Sequence, residues 1–379
     1  MQEPCPAETC DERLVRRAIE LARRGEGRVE PNPPVGAVIA AAGGGPAAAR
    51  ILAEGCHEAF GGPHAEIMAL EAAGTAARGG TLAVTLEPCC HHGKTPPCTD
   101  AIIAAGIARV VIGAGDPFPA VNGGGIEALR RAGIEVTTGV CQREAARLIA
   151  PFRMLVERGR PWVIAKWAMS LDGRVATASG ESRWISSEAS RSAVHALRGR
   201  VDAIVCGIGT ALADDPLLTA RPSGPRRAVR VVLDGAARLP LASRLVQTAA
   251  EVPVLVAAGP DAPADRVAAL RSAGCEVWQS DEGDRPTRLA ALLAELGRRR
   301  FTNVLVEGGP GILGSLADAA LIDEVWAFIA PRLIGGREAP GPVEGAGIAR
   351  LANAAQIDVE QIDHLGGDLL VRGLVRRTT

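Results

Sequence analysis

Thr85-Leu86-Glu87-Pro88-Cys89-Cys90-His91-His92-Gly93-Lys94-Thr95-Pro96-Pro97-Cys98 gathers three cysteines and two histidines between the end of an apolar strand and the start of a helix. About twenty residues upstream, Gly61-Gly62-Pro63 leads into His64-Ala65-Glu66 at another helix start. One imidazole and two thiolates make three protein ligands for a tetrahedral metal, and a catalytic zinc keeps the fourth position open for water. Helix N-termini at His64 and Cys98 favour anionic ligands and lower a thiol pKa. Glu66 shares a side with His64 only in an irregular first turn, and its carboxylate would there shuttle protons from water to a departing amine. Cys90, His91 and His92 are rival ligands, and one of the histidines as a fourth ligand would make a closed structural site. Cys98 is favoured over Cys90: neighbours in an extended chain point to opposite sides, and Pro96-Pro97 is a stiff lead into a helix. A structural site has no use for Glu66.

Around this stretch, strands and helices alternate. The periodicity predicts helices over 12–24, 64–73, 99–105 and 125–132, with strands over 35–40, 51–56, 82–86, 110–113 and 134–138. A helix over 141–157 is broken by Arg158-Gly159-Arg160-Pro161, which sets a boundary between domains 1–157 and 158–379. The second series predicts strands over 162–168, 203–206, 229–233, 252–257, 276–279, 303–306, 324–329 and 369–375, with helices over 187–197, 264–273, 287–299 and 312–320. Both halves are α/β, each with one sheet covered by helices and largely parallel pairing in the later part of the first.

The 379 residues are 47% apolar and 22% charged, so each half can bury a core. A net charge of −1 provides no field to gather nucleic acid or an anionic membrane. The start Met-Gln-Glu-Pro-Cys lacks the pattern of a secretory signal and no clean apolar run spans a bilayer, so the expected location is cytoplasmic. Nine cysteines in that setting point to thiols or metal ligands rather than disulfides. Lys94 and Lys166 are the only lysines.

Lys166 falls inside an apolar strand, which is costly unless it meets an anion or a reacting group; an edge position reaching solvent is the bland alternative. Further on, a strand runs into Gly308-Gly309-Pro310-Gly311-Ile312-Leu313-Gly314. Gly309, Gly311 and Gly314 fit a Gly-x-Gly-x-x-Gly turn whose N–H groups could take a pyrophosphate. Too few residues follow to complete a dinucleotide sheet, so this is no standard Rossmann domain.

Zinc deaminases carry His-x-Glu followed by Pro-Cys-x-x-Cys; here eight residues, not two, separate Cys89 from Cys98. With Pro31-Asn32-Pro33-Pro34-Val35-Gly36 and the quoted stretch, the first half resembles the deaminase half of the bifunctional riboflavin-biosynthesis deaminase/reductase family, in which the long loop is normal. The resemblance implies a cytidine-deaminase-like α/β/α domain, Zn2+ on His64, Cys89 and Cys98, Glu66 as proton shuttle, and Asn32 holding the pyrimidine. The family usually has serine at Cys90. His57 reads as a satisfied strand-end histidine.

Lys166 to Arg174, Ser182 to Ser186, Leu212 to Thr219 and Val306 to Pro310 resemble the reductase half, which implies a dihydrofolate-reductase-like domain using NADPH. Ala168, Trp184, Thr210, Asp214, Gly235 and the loop Gly309, Pro310, Gly311, Ile312, Leu313, Gly314, Ser315 fall where the family meets the nucleotide. Gly235 stands where serine is common. Ser182, Arg198, Leu218, Arg221 and Glu307 fall where it meets substrate, and arginine forks suit its phosphate. Arg198 could instead cap a helix end, and Trp184 could be core. The implied reactions are hydrolytic deamination of 2,5-diamino-6-(5-phosphoribosylamino)pyrimidin-4-one, then reduction of the ribosyl to the ribityl chain, with Lys166 and Glu307 near the reacting sugar carbon. The family also implies a homo-oligomer. The rivals are a nucleic-acid base deaminase, disfavoured by 3% aromatics and no tyrosine, and a zinc-stabilised sensor without turnover.

Overall fold

The computed structural model describes residues 8–42, 50–91, 96–119, 121–281 and 284–376; His92 and Lys94 lie outside them. Two compact units, Met1–Arg158 and Gly159–Thr379, divide the chain. In the first, β1 (Gly36–Ala40), β2 (Ile51–Cys56), β3 (Thr81–Leu86), β4 (Arg109–Ala114) and β5 (Glu135–Thr138) form a sheet in the order β2-β1-β3-β4-β5. β1 is antiparallel to β2 and β3, whereas β3, β4 and β5 are parallel, as the alternation predicts. Side chains alternate across this sheet into two cores. Val38, Ala83 and Val111 meet Leu14, Ala18 and Leu21 of helix Cys10–Ala22 on one face. Ile39, Val84 and Ile112 meet Ala69 of helix Ala65–Ala73 and Ile102 of helix Cys98–Ala105 on the other. That second face carries both predicted ligand helices, and burying a residue such as Ile102 contributes about 1.5–3 kcal/mol.

The second unit contains β6 (Trp162–Ser170), β7 (Ala203–Gly207), β8 (Val229–Leu233), β9 (Val254–Ala258), β10 (Glu276–Gln279), β11 (Asn303–Glu307), β12 (Glu324–Ala330), β13 (Ile357–Leu365) and β14 (Asp368–Val375). Their order is β10-β9-β8-β7-β11-β6-β12-β14-β13, parallel except for the pairings of β14 with β12 and β13. β11 therefore lies between β6 and β7, and its Glu307 pairs in register with Lys166.

Several elements differ from the sequence reading, among them a four-residue helix, Arg244–Gln247, that it lacks. The single helix over 141–157 is two, Gln142–Leu148 and Ala150–Arg158, with Ile149 between them at φ −96 and ψ 6. Pro151 explains the break: lacking an N–H and clashing with the carbonyl four residues back, it can open a helix but not continue one. β13 was not anticipated, because its exposed residues give no buried face to read. The short helix Ile208–Asp214 is also additional.

Candidate active sites

The first site forms where β3 ends. His64 is the N-cap of helix Ala65–Ala73, still extended at φ −73 and ψ 158. Cys98 opens helix Cys98–Ala105 behind Pro97. The His64 Nδ1 lies 3.2 Å from Cys98 Sγ and 3.6 Å from Cys89 Sγ, and the Cys98 N–H donates to Cys89 Sγ at 3.3 Å. The three ligand atoms all fall within 4.8 Å of one another. One nitrogen and two sulfurs at this spacing fit zinc. Cys90 and His91 are not in the cluster: Cys90 Sγ faces Gly124, and the His91 ring tilts against Phe118 at 6.0 Å. A hydrogen bond from Cys98 lowers the Cys89 pKa below the usual thiol value, and the same bond pushes Cys98 up. Glu66 is buried against His64 and Cys98, and burial raises its pKa above the ordinary carboxylate range. The extended His64 removes the spacing problem, because only Glu66 of the pair lies within the helix.

The sequence reading gives Glu87 no role and His57 only that of a satisfied strand-end histidine, yet both support the site. Glu87, 3% exposed, accepts four backbone N–H groups: Asp116 at 3.4 Å and Gly123 at 3.1 Å on Oε2, Gly125 at 2.9 Å and Ile126 at 3.2 Å on Oε1. It ties the turn leading to Cys89 to the N-terminus of helix Gly124–Arg131. The approach is so close that a Cβ on Gly125 would stand 2.1 Å from the Pro88 oxygen. His57 does more than satisfy a strand end. Its Nδ1–H donates to the Pro63 carbonyl at 2.8 Å, which leaves Nε2 to accept from the Asn32 amide at 3.4 Å. Asn32 is thereby oriented beside the cluster, with the His57 and His64 ring centroids 5.6 Å apart.

In the second unit, charge meets at the carboxyl ends of β6 and β11. Arg198, last residue of helix Glu188–Arg198, grips Glu307 bidentately at 2.5 and 2.9 Å, and Lys166 Nζ stands 3.8 Å from the same carboxylate. Lys166 thus meets an anion, in a strand inside the sheet rather than at an edge. Burial lowers the Lys166 pKa, with Glu307 opposing. Burial pushes Glu307 up, but Arg198 and Lys166 together hold it below the usual carboxylate value. The fork of Arg198 is therefore occupied by Glu307 instead of capping its own helix. Arg221 remains toward solvent, its Nη2 3.5 Å from His195 Nε2, while His195 Nδ1 donates to the Thr219 carbonyl at 3.1 Å. His195, three residues before Arg198 on one helix face, was not anticipated. Leu218 has φ 50 and a core side chain only 4% exposed, so only its backbone can face a ligand.

The expected nucleotide residues divide by what their side chains touch. Thr210 accepts the Gly309 N–H at 3.0 Å, joining two of them. Arg183 donates to the Asp214 carbonyl at 2.6 Å. Trp184 is 61% exposed under the Arg191 guanidinium, 4.8 Å from the ring centroid, and so is not core. Ala168 and Ser182 are half-buried. Gly309 caps helix Pro310–Asp318, where Pro310 and Gly311 start the first turn. Ile312 and Leu313 pack in the core, and the Ser315 hydroxyl donates to Gly311 O at 2.8 Å. A Cβ on Gly314 would stand 2.0 Å from the Glu344 oxygen, so this glycine serves chain packing. Beyond Gly311, a ligand can meet the turn only through backbone. At Gly235, after β8, a Cβ would meet only the Arg288 guanidinium, 3.9 Å away. Strand-end glycines, a helix N-terminus and arginine forks are a donor set that fits a dinucleotide.

These two clusters on their two sheets define an enzyme that joins a zinc deaminase to a pyridine-nucleotide reductase. Residues 8–114 match the model of the cytidine and deoxycytidylate deaminase zinc-binding region, and residues 161–371 that of the RibD C-terminal domain. The chain belongs to the bifunctional riboflavin-biosynthesis deaminase/reductase family, and carries both activities with Zn2+ and NADPH. The riboflavin biosynthesis protein RibD of Actinobacillus pleuropneumoniae is 40% identical over 357 residues, covering 94% of this chain and 93% of the relative. That of Escherichia coli is 39% identical, covering 95% and 98%. The crystal structure of the Thermotoga maritima deaminase/reductase superposes with a TM-score of 0.82 at 38% identity, covering 97% of this chain and 99% of that one. No described helix is long and apolar enough to cross a membrane.

Proposed function

We propose that residues 1–157 deaminate 2,5-diamino-6-(5-phosphoribosylamino)pyrimidin-4-one and that residues 158–379 reduce the product's ribosyl group to ribityl. The observation that carries this reading is the approach of His64, Cys89 and Cys98 around a buried Glu66. His64, Cys89 and Cys98 would hold zinc, whose Lewis acidity makes water nucleophilic at neutral pH. Glu66 takes the proton that water loses at the ring carbon and hands it to the departing amine. Asn32, oriented by His57, hydrogen-bonds the pyrimidine edge.

In the second unit, NADPH supplies hydride to the sugar carbon. One proton must reach the sugar oxygen released when the ring bond breaks, and Lys166 holds it at Nζ. Glu307, fixed by Arg198, positions that ammonium. Arg221 takes the substrate phosphate, with Ser182 and the Leu218 backbone lining its approach. Ala168, Trp184, Thr210, Asp214, Gly235 and the turn from Gly309 to Ser315 border the nucleotide.

The enzyme acts in the cytoplasm as a homo-oligomer. On β13, Ile357, Val359 and Ile362 are 37%, 52% and 58% exposed. A bulge after Val359 sets them opposite Val375, Gly373 and Val371, all on one face of β14. An apolar row on an edge strand fits burial against a second copy.

Mass-resolved product analysis tests both activities. The amine should be exchanged for oxygen without NADPH, and the sugar reduced only with it. Glu66→Gln should keep stoichiometric zinc and lose about 10²–10⁴-fold in deamination; retained turnover would refute its role.

A further inference from the structure

The parallel strands β8, β9 and β11 lead, within one or two residues of their ends, to Gly235, Gly259 and Gly309, on the side where open α/β sheets bind ligands. Helix Arg285–Arg298 brings two arginines to that edge. A Cβ on Gly259 would lie 3.5 Å from Arg288 Nη1, and one on Gly235 would lie 3.9 Å from Arg288 Nη2. On Gly311 a Cβ would meet Arg285 Nη1 at 3.5 Å. Arg288 is thus the group that faces the space left by the missing side chain at Gly235, where the family commonly has serine.

We infer that Arg288, over the backbone of Gly235 and Gly259, reads the 2′-phosphate of NADPH and sets the preference over NADH. This rests on the reading of the second unit as an NADPH reductase. A dianionic phosphate matches a planar guanidinium bidentately, and a ribose hydroxyl does not. Further arginines surround the site, and Asp284, the N-cap of the same helix, is the acid that interacts with Arg288. Arg266 donates to the Ala237 and Leu239 carbonyls of the turn after β8, each at 3.1 Å, and Arg238 stands 4.0 Å from Asp234. An NADH-selecting site instead presents a carboxylate to the ribose hydroxyls. The acid at the end of β8, Asp234, is 0% exposed, and its Oδ2 accepts the Leu239 N–H at 2.7 Å, so it presents no carboxylate at the surface. Arg285 stands beside Gly311 at the helix start assigned to the pyrophosphate, which leaves the 2′-phosphate to Arg288.

The test is equilibrium binding of NADPH, NADH and 2′,5′-ADP to the full-length protein without pyrimidine substrate, followed by nicotinamide fluorescence and calorimetry. Arg288→Ala should weaken NADPH and 2′,5′-ADP by about tenfold to a hundredfold, the loss of a charge-assisted pair, and leave NADH within about twofold. Arg288→Gln, uncharged and of similar reach, should show the same selective loss, and it decides the matter if the alanine variant does not fold. An unchanged NADPH-to-NADH ratio in the glutamine variant, or equal loss of both nucleotides, overturns the assignment while leaving the reductase reading intact. Wild-type protein that binds neither nucleotide would sink the reductase reading itself, and the role of Arg288 with it.

Discussion

Glu87 in the first unit and Glu307 in the second are buried carboxylates of nearly equal exposure, 3% and 7%, yet they are satisfied by opposite means. Glu87 spends both oxygens on main-chain N–H groups and never meets a cation at hydrogen-bond distance among the described residues. Glu307 is held by side chains, a guanidinium fork and an ammonium that come from distant parts of the chain. Main-chain donors fix a loop in place, as a metal ligand requires. Ionic partners keep charge at the carboxyl ends of β6 and β11, as the proposed proton transfer requires, at the cost of a network that fails when one member is lost.

The strongest challenge to this contrast is Glu307→Ala. It strands Lys166 and Arg198 together in a buried site and should destabilise the second unit by about 3–5 kcal/mol. Denaturant unfolding followed by near-ultraviolet circular dichroism checks it, and Glu307→Gln should cost less because an acceptor oxygen remains. A loss under about 1 kcal/mol would mean that water already screens the network.

Glu87→Gln sharpens the other side. The amide keeps one acceptor oxygen but turns an NH2 toward main-chain donors, leaving some unsatisfied at about 1–3 kcal/mol. Because those donors anchor the turn before Cys89, zinc should leave the variant faster in a chelator-competition assay, while the reductase half still oxidises NADPH. Zinc retention equal to wild type would reduce Glu87 to a local helix cap.

The smallest effect belongs to Asp172, an exposed carboxylate that accepts from the Ser170 hydroxyl at 2.6 Å and the Ile334 and Gly335 N–H groups at 3.0 and 2.7 Å. The Ser170 bond first, then the two amides, hold its pKa down to about 2, against 3.8 for the free side chain. A depressed pKa contributes stability that is complete above pH 3.8 and is lost as pH falls through about 2. Asp172→Asn should flatten the acid limb of thermal stability in that window and change little at neutral pH.

What the sequence disclosed follows from the same contrast. His64, Glu66, Cys89 and Cys98 were readable because ligand chemistry demands particular residue types at short spacing around helix starts. Glu87 stood in the quoted stretch, but its partners are amides, which every residue carries, so no pattern could announce them. Lys166 was conspicuous as a charge in an apolar strand, whereas the engagement of Arg198 with Glu307 depends on which strands become neighbours. The strands of both sheets were legible from apolar runs. β13 was not, since an exposed edge has no such run, and the break at Ile149 required giving Pro151 its full weight.

The position of β11 orders events during synthesis. The ribosome delivers β6 and β7 long before it delivers β11, yet they flank it in the finished sheet. Until β11 arrives, β6 has no strand to pair with, since its neighbours β11 and β12 both come later, and β7 keeps one edge open. The arrival of β11 is also what brings Glu307 beside Lys166, so a chain released early cannot assemble this ion network however well its earlier segments have formed.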